Sequence, residues 1–141
     1  MFLPLAVIFF WAGFVCAISF MEAWLKFRVK EVTLSIGLSI GKKVFIAMNR
    51  MEWIFLFIYF ISLIYHLKIR PEIVVFTSLI VFLILAIQTI VLLPRLHKRV
   101  DLIVAGKSVG PSVIHVYYIV LEVLKVISLL LAGYFLFQSL M

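Results

Sequence analysis

The stretch Val113–Leu140, VIHVYYIVLEVLKVISLLLAGYFLFQSL, decides the fold. It carries two charged residues, Glu122 and Lys125, in a run long enough to cross a bilayer. About 20 predominantly apolar residues make a transmembrane helix. Hydrocarbon offers an open backbone no hydrogen-bond partner, so such a run must be helical. Pro111 and Ser112 stand just before it and read as a helix start.

Three further runs meet the same standard: residues 2–25, 48–67 and 73–93, the last closed by Pro94. The chain of 141 residues is 67% hydrophobic, with a mean hydropathy of +1.30. A soluble domain is about 45–50% apolar. A chain this short leaves much of its surface exposed, so the excess must face lipid. The expected fold is an all-α membrane bundle of four transmembrane helices, one domain over 1–141.

The segments between the runs hold the charge. Residues 26–47 carry Lys26, Arg28, Lys30, Lys42 and Lys43 against Glu31, with Arg50 just beyond. The turn at 68–72 holds Lys68 and Arg70 against Glu72. Residues 95–111 carry Arg95, Lys98, Arg99 and Lys107 against Asp101. The positive-inside rule places loops one and three in the cytoplasm and both termini outside. The net charge of +7 is therefore a topology signal, not the footprint of a nucleic-acid partner. The expected partner is the lipid bilayer, with Lys42, Lys43, Arg95, Lys98 and Arg99 as contacts to lipid headgroups. The single cysteine, Cys16, excludes an internal disulfide and reads as a small packing residue. Residues 2–25 lack a basic leader and a small-residue cleavage site, so they read as a retained span.

Residues 32–47, VTLSIGLSIGKKVFIA, read as a segment lying in the interface. Gly37 and Gly41 have the Gly-x-x-x-Gly spacing that lets helices approach closely; the plainer reading is two glycines in an irregular loop. Trp24 and Trp53 fall where a cytoplasmic aromatic belt belongs.

Polar residues inside a bilayer are costly, so each needs a reason. A helix turns about 100° per residue. On that basis His115, Tyr118, Glu122 and Lys125 share one stripe of the last span. Glu52, Tyr59, Ser62 and His66 share a face of the second, with Asn49 at its edge. Thr77 and Gln88 align on the third, and Trp11 and Glu22 on the first, with Ser19 nearby. Turning the four stripes inward gives a polar site in the cytoplasmic half. Its expected members are Glu122 as the central charge, His115, Tyr118, Glu22, Glu52 and Gln88 as ligands, and Lys125 as counter-charge. Stacked carboxylates and histidine make proton relays in membranes, and the same groups suit metals, with Glu122 and His115 the candidate metal ligands. Plainer roles stand beside these. Glu22 precedes Lys26 by four residues, in the order that favours a helical pair. Glu52 suits a helix N-terminus, Gln88 can tie helices together, and Glu122 can simply pair with Lys125. His66 near the outer interface and His97 in a basic loop read as solvated.

No catalytic motif is present: there is no His-Glu-x-x-His, Gly-rich phosphate loop or Gly-x-Ser-x-Gly. The cofactor stays unknown. Haem requires an axial His, Met or Cys, and His115 is the one well-placed histidine.

Gly13, Ser19-Phe20, Leu25 and Phe27-Arg28 resemble the opening helix of the transmembrane protein 205 family and its bacterial relatives. Leu93-Pro94-Arg95 resembles the family's Leu-x-Pro-Arg at the end of its third helix, and His115 matches a histidine near the start of the fourth. The resemblance covers about a third of the chain. The chain departs in lacking a long polar stretch before the last helix, and the resemblance does not extend to Glu122 and Lys125. The resemblance implies four membrane helices and no settled reaction; with the small size, it implies a bacterial inner membrane. The leading expectation is a non-enzymatic, transporter-like or ligand-binding bundle that self-associates as a homo-oligomer. The alternatives are a membrane oxidoreductase or oxygenase holding metal or haem at the same cluster, and a structural or accessory subunit.

Overall fold

A computed structural model describes residues 2–65, 72–139 and 141. Four long helices account for nearly all of it: α1 Phe2–Arg28, α2 Leu34–Tyr65, α3 Glu72–Val104 and α4 Ile114–Gln138. Each is long and apolar enough to cross a membrane, which is compatible with a multi-pass integral membrane protein. The turn expected at 68–72 lies outside the described residues except for Glu72, as do Leu67 and His66.

Helix α1 packs against α2 and α4, α4 against α3, and the far end of α3 against α2. The bundle is thus a closed ring in chain order. Phe57, Phe76, Leu83, Ile90 and Tyr134 point outward, the surface lipid would cover. Inside lie two apolar clusters. One is built on Ile8, Trp11, Val15, Leu56, Leu85 and Leu129. The other, nearer the basic end, is built on Met48, Leu92, Leu93 and Tyr118.

Helix α2 corrects one expectation. It begins at Leu34, not near Met48, so most of 32–47 continues the second span rather than forming a separate interfacial segment. No proline interrupts 34–65, and apolar residues recur across the junction. Its 32 residues reach about 48 Å at about 1.5 Å each, well beyond a hydrocarbon core of about 30 Å. Lys42 and Lys43 lie in its N-terminal third. Gly37 and Gly41 are therefore helical and buried, not in an irregular loop. A β-carbon on Gly37 would strike the Phe27 ring, and one on Gly41 would lie 2.8 Å from the Lys26 ammonium. The missing side chains let the end of α1 lie flat against α2.

Helix α3 corrects another. Pro94 does not close it; the helix runs on to Val104. A mid-helix proline clashes with the carbonyl four residues before it and lacks an N–H. The clash is relieved by a widened π turn over Gln88–Leu92, closed by the Leu93 N–H donating to the Gln88 carbonyl. Gly106, at φ +74°, ends the helix in the left-handed conformation that glycine adopts without strain. Helix α1 contains a similar wide stretch, Cys16–Glu22. Ser112 Oγ accepts from the Ile114 N–H at 3.2 Å, as its place before α4 led one to expect.

Candidate functional site

The register of the apolar clusters defines the site. On α2, Glu52 lies one turn from Met48 and one from Leu56; on α3, Gln88 lies between Leu85 and Leu92; on α4, Glu122 and Lys125 lie between Tyr118 and Leu129. A charged layer is therefore held between two apolar ones. Glu52, Gln88, Glu122 and Lys125 all have 0% exposure.

Lys125 is the hub. Its Nζ lies 2.5 Å from Glu52 Oε1 and 3.1 Å from Glu122 Oε1, and it donates to Gln88 Oε1 at 2.8 Å. An ammonium has three N–H donors, and three acceptors from three helices meet it. Gln88 Nε2 donates to Glu122 Oε1 at 2.8 Å, so the amide links the lysine to the glutamate. The wide turn that accommodates Pro94 begins at Gln88. Trp11 Nε1 donates to Glu52 Oε1 at 3.1 Å and brings α1 into the layer.

Both Oε1 atoms thus accept two donors each. Glu52 Oε2, Glu122 Oε2 and the Tyr118 hydroxyl are buried with no partner. Tyr118 lies one turn before Glu122 on α4. Leaving a buried polar group unpaired costs about 1–3 kcal/mol, more if it is charged. The two carboxylate oxygens beside one buried ion cluster form a local deficit of donors and positive charge, and the Tyr118 hydroxyl is a donor without an acceptor.

Of the expected members, the structure gathers Glu52, Gln88, Tyr118, Glu122 and Lys125. It leaves out Glu22 and His115. Glu22 pairs with Lys26 at 3.3 Å, the helical pair that their spacing also offered. His115 is exposed at the basic end. Seven residues of helix, about 10 Å of rise, separate it from Glu122, so the two do not share a metal ion. Among the described residues no group of three or more His, Cys, Asp or Glu side chains could hold one.

Trp11 is the member that sequence reading did not assign to the site. Its place on the polar stripe of α1 was the available signal. Trp53 is half-buried and donates to Thr89 Oγ1 at 3.0 Å. Asn49 Nδ2 donates to the same hydroxyl at 3.0 Å. Tyr59 and Ser78 hydroxyls lie 2.9 Å apart. These ties fasten α2 to α3 on either side of the charged layer.

The headgroup candidates divide. Lys43, Arg95 and Lys98 are exposed. Lys42 Nζ donates to both oxygens of Asp101, at 2.6 and 2.7 Å, and Arg99 Nη2 donates to the Gly110 carbonyl at 2.6 Å. Their first partners in this structure are therefore within the chain. His97 lies on the extension of α3 rather than in a loop, and its Nε2 is buried without a partner.

Compared with protein-family models, curated proteins and solved structures, the chain matches none. The likeness to the transmembrane protein 205 family accordingly rests on the residues quoted above, and the site is read from its own geometry.

Proposed function

We propose that this chain is a small membrane protein whose interior layer binds and passes a proton, a transporter-like role without bond-making chemistry. One observation carries the reading: a single ammonium, Lys125, serves two fully buried carboxylates, each keeping one oxygen without a partner. Fully ionised, the three groups sum to one negative charge. An uncompensated ion in a protein interior costs several kcal/mol. One further positive charge is therefore called for, and a proton on the pair supplies it. The proton belongs to the coupled pair rather than to either glutamate. A divalent cation is less well served. Calcium takes six to eight oxygen ligands, whereas three unpartnered oxygens are at hand and Lys125 fills the centre.

The proposed route enters from the basic end. The Phe45 and Tyr118 rings meet edge to face, with centroids 5.2 Å apart, and Tyr118 leads to Glu122. Movement of that ring pair would open the layer to water. By the positive-inside rule this end is cytoplasmic and both termini are outside. A bundle of this size would complete a pathway to the other side as a homo-oligomer.

Purified protein in liposomes with an internal pH-sensitive dye tests the reading. An imposed pH gradient should decay faster than in empty liposomes, and Glu122→Gln should return the rate to the empty-liposome value. Equal decay with and without the wild-type protein would contradict it.

A further inference from the structure

The extensions of α2 and α3 enclose a pocket of about 200 Å³ at the basic end. Its lining carries Lys26, Lys42, His97, Arg99 and His115, from α1, α2, α3 and α4, and no carboxylate. Much of the rest of its lining is apolar. Leu93, Leu96, Val100 and Ile103 turn one stripe of α3 into it, at spacings of three, four and three, opposite Phe45 of α2. The outward side of the same helix carries exposed Arg95 and Lys98.

Not all of that charge is spent inside the chain. Lys26 is paired with Glu22, and Lys42 with Asp101. Arg99 hydrogen-bonds only an uncharged carbonyl and has no acid partner among the described residues. His97 Nε2 is buried in the wall of the pocket without a partner. A guanidinium with donors to spare and an unpartnered imidazole nitrogen, in a pocket otherwise lined by apolar side chains, match an anionic group with a hydrocarbon attached. Guanidinium and phosphate are geometrically matched. The helix ends that line the pocket, Leu34–Phe45 of α2 and Leu93–Ile103 of α3, carry the basic residues that flank the apolar runs.

We propose that this pocket binds the phosphate group of an anionic lipid, with Arg99 and His97 holding the phosphate and the α3 stripe covering the first part of one chain. The volume is below the roughly 300–1,000 Å³ of a drug-sized site, which suits a small headgroup rather than a bulky one. The proposal does not depend on the proton reading, since no residue of the charged layer lines the pocket.

The test is native mass spectrometry of the full chain in mild detergent. Phosphatidate and phosphatidylcholine with identical acyl chains are added separately, and inorganic phosphate is titrated by calorimetry. The expected result is one phosphatidate retained per chain where phosphatidylcholine is stripped, with inorganic phosphate binding far more weakly. Arg99→Gln should weaken phosphatidate by at least about tenfold, the worth of a charge-assisted hydrogen bond. His97→Gln should weaken it several-fold, and Lys107→Gln, exposed past the end of α3 and outside the pocket, should leave it unchanged. Circular dichroism checks folding; should Arg99→Gln unfold, His97→Gln carries the test. Equal retention of the two lipids, unchanged binding in the folded variants, or inorganic phosphate binding as tightly as phosphatidate would each overturn the proposal.

Discussion

The Lys125 ammonium lies closer to Glu52, across the bundle at 2.5 Å, than to Glu122 on its own helix at 3.1 Å. The lysine therefore ties α4 to α2 and does more than neutralise a neighbour. Removing one partner of a buried ion pair costs about 3–5 kcal/mol. Lys125→Met should destabilise the protein by that amount, because both glutamates lose their ammonium. Glu122→Gln should cost no more than about 1 kcal/mol, because a neutral amide resembles a protonated carboxyl and still accepts from Gln88. Thermal unfolding in mild detergent compares the two; equal losses would contradict the assignment of Lys125 as the hub.

Gly37 at the head of α2 and Gly13 on α1 make a sharper prediction. A methyl on Gly37 meets the Phe27 ring, whereas one on Gly13 meets nothing within 4 Å. Overpacking costs about 1–3 kcal/mol, so Gly37→Ala should lower stability by about that amount. Gly13→Ala should be neutral, or stabilising by up to about 1 kcal/mol through helix propensity. The same unfolding assay reads both.

Asp101 holds Lys42 in an ion pair that is largely open to water, its own side chain 63% exposed. Such pairs contribute about 0–1 kcal/mol, so Asp101→Asn should leave the unfolding temperature nearly unchanged. It also releases Lys42 toward the basic pocket. Phosphatidate retention should rise by a few-fold, and fall in raised salt as the exposed charges are screened. A fall in retention at low salt would contradict the placement of Lys42 on that rim.

Orientation is testable with single cysteines. With Cys16 changed to Ala, a cysteine in place of exposed Lys98 should react with a membrane-impermeant maleimide only after cells are opened. One in place of exposed Gln138 should react in intact cells. The reverse pattern would invert the topology.

The count of spans and the inward polar stripes were legible in the sequence, because hydropathy and the 3.6-residue period act locally. Glu52, Gln88, Tyr118, Glu122 and Lys125 were found that way. The lengths of α2 and α3 were not legible. Hydropathy falls toward these helix ends, but the helix itself continues, as at Leu34–Ala47 and Pro94–Val104. Pro94 read as a stop because a wide turn that accommodates it leaves no sequence mark. Glu22 and His115 shared a stripe with site residues yet lie too near the basic end, since angular position along a helix says nothing of depth. That Lys125 reaches Glu52 first depends on how four helices close into a ring, which no single helix encodes.

The central claim is that the two buried glutamates share a proton. Infrared spectroscopy of the protein in lipid, before and after exchange into heavy water, measures this directly through the stretch of a protonated carboxyl. One such band is expected at neutral pH, shifted by deuterium and altered or lost in both Glu52→Gln and Glu122→Gln. A wild-type spectrum with no protonated carboxyl, both glutamates being ionised, would contradict it.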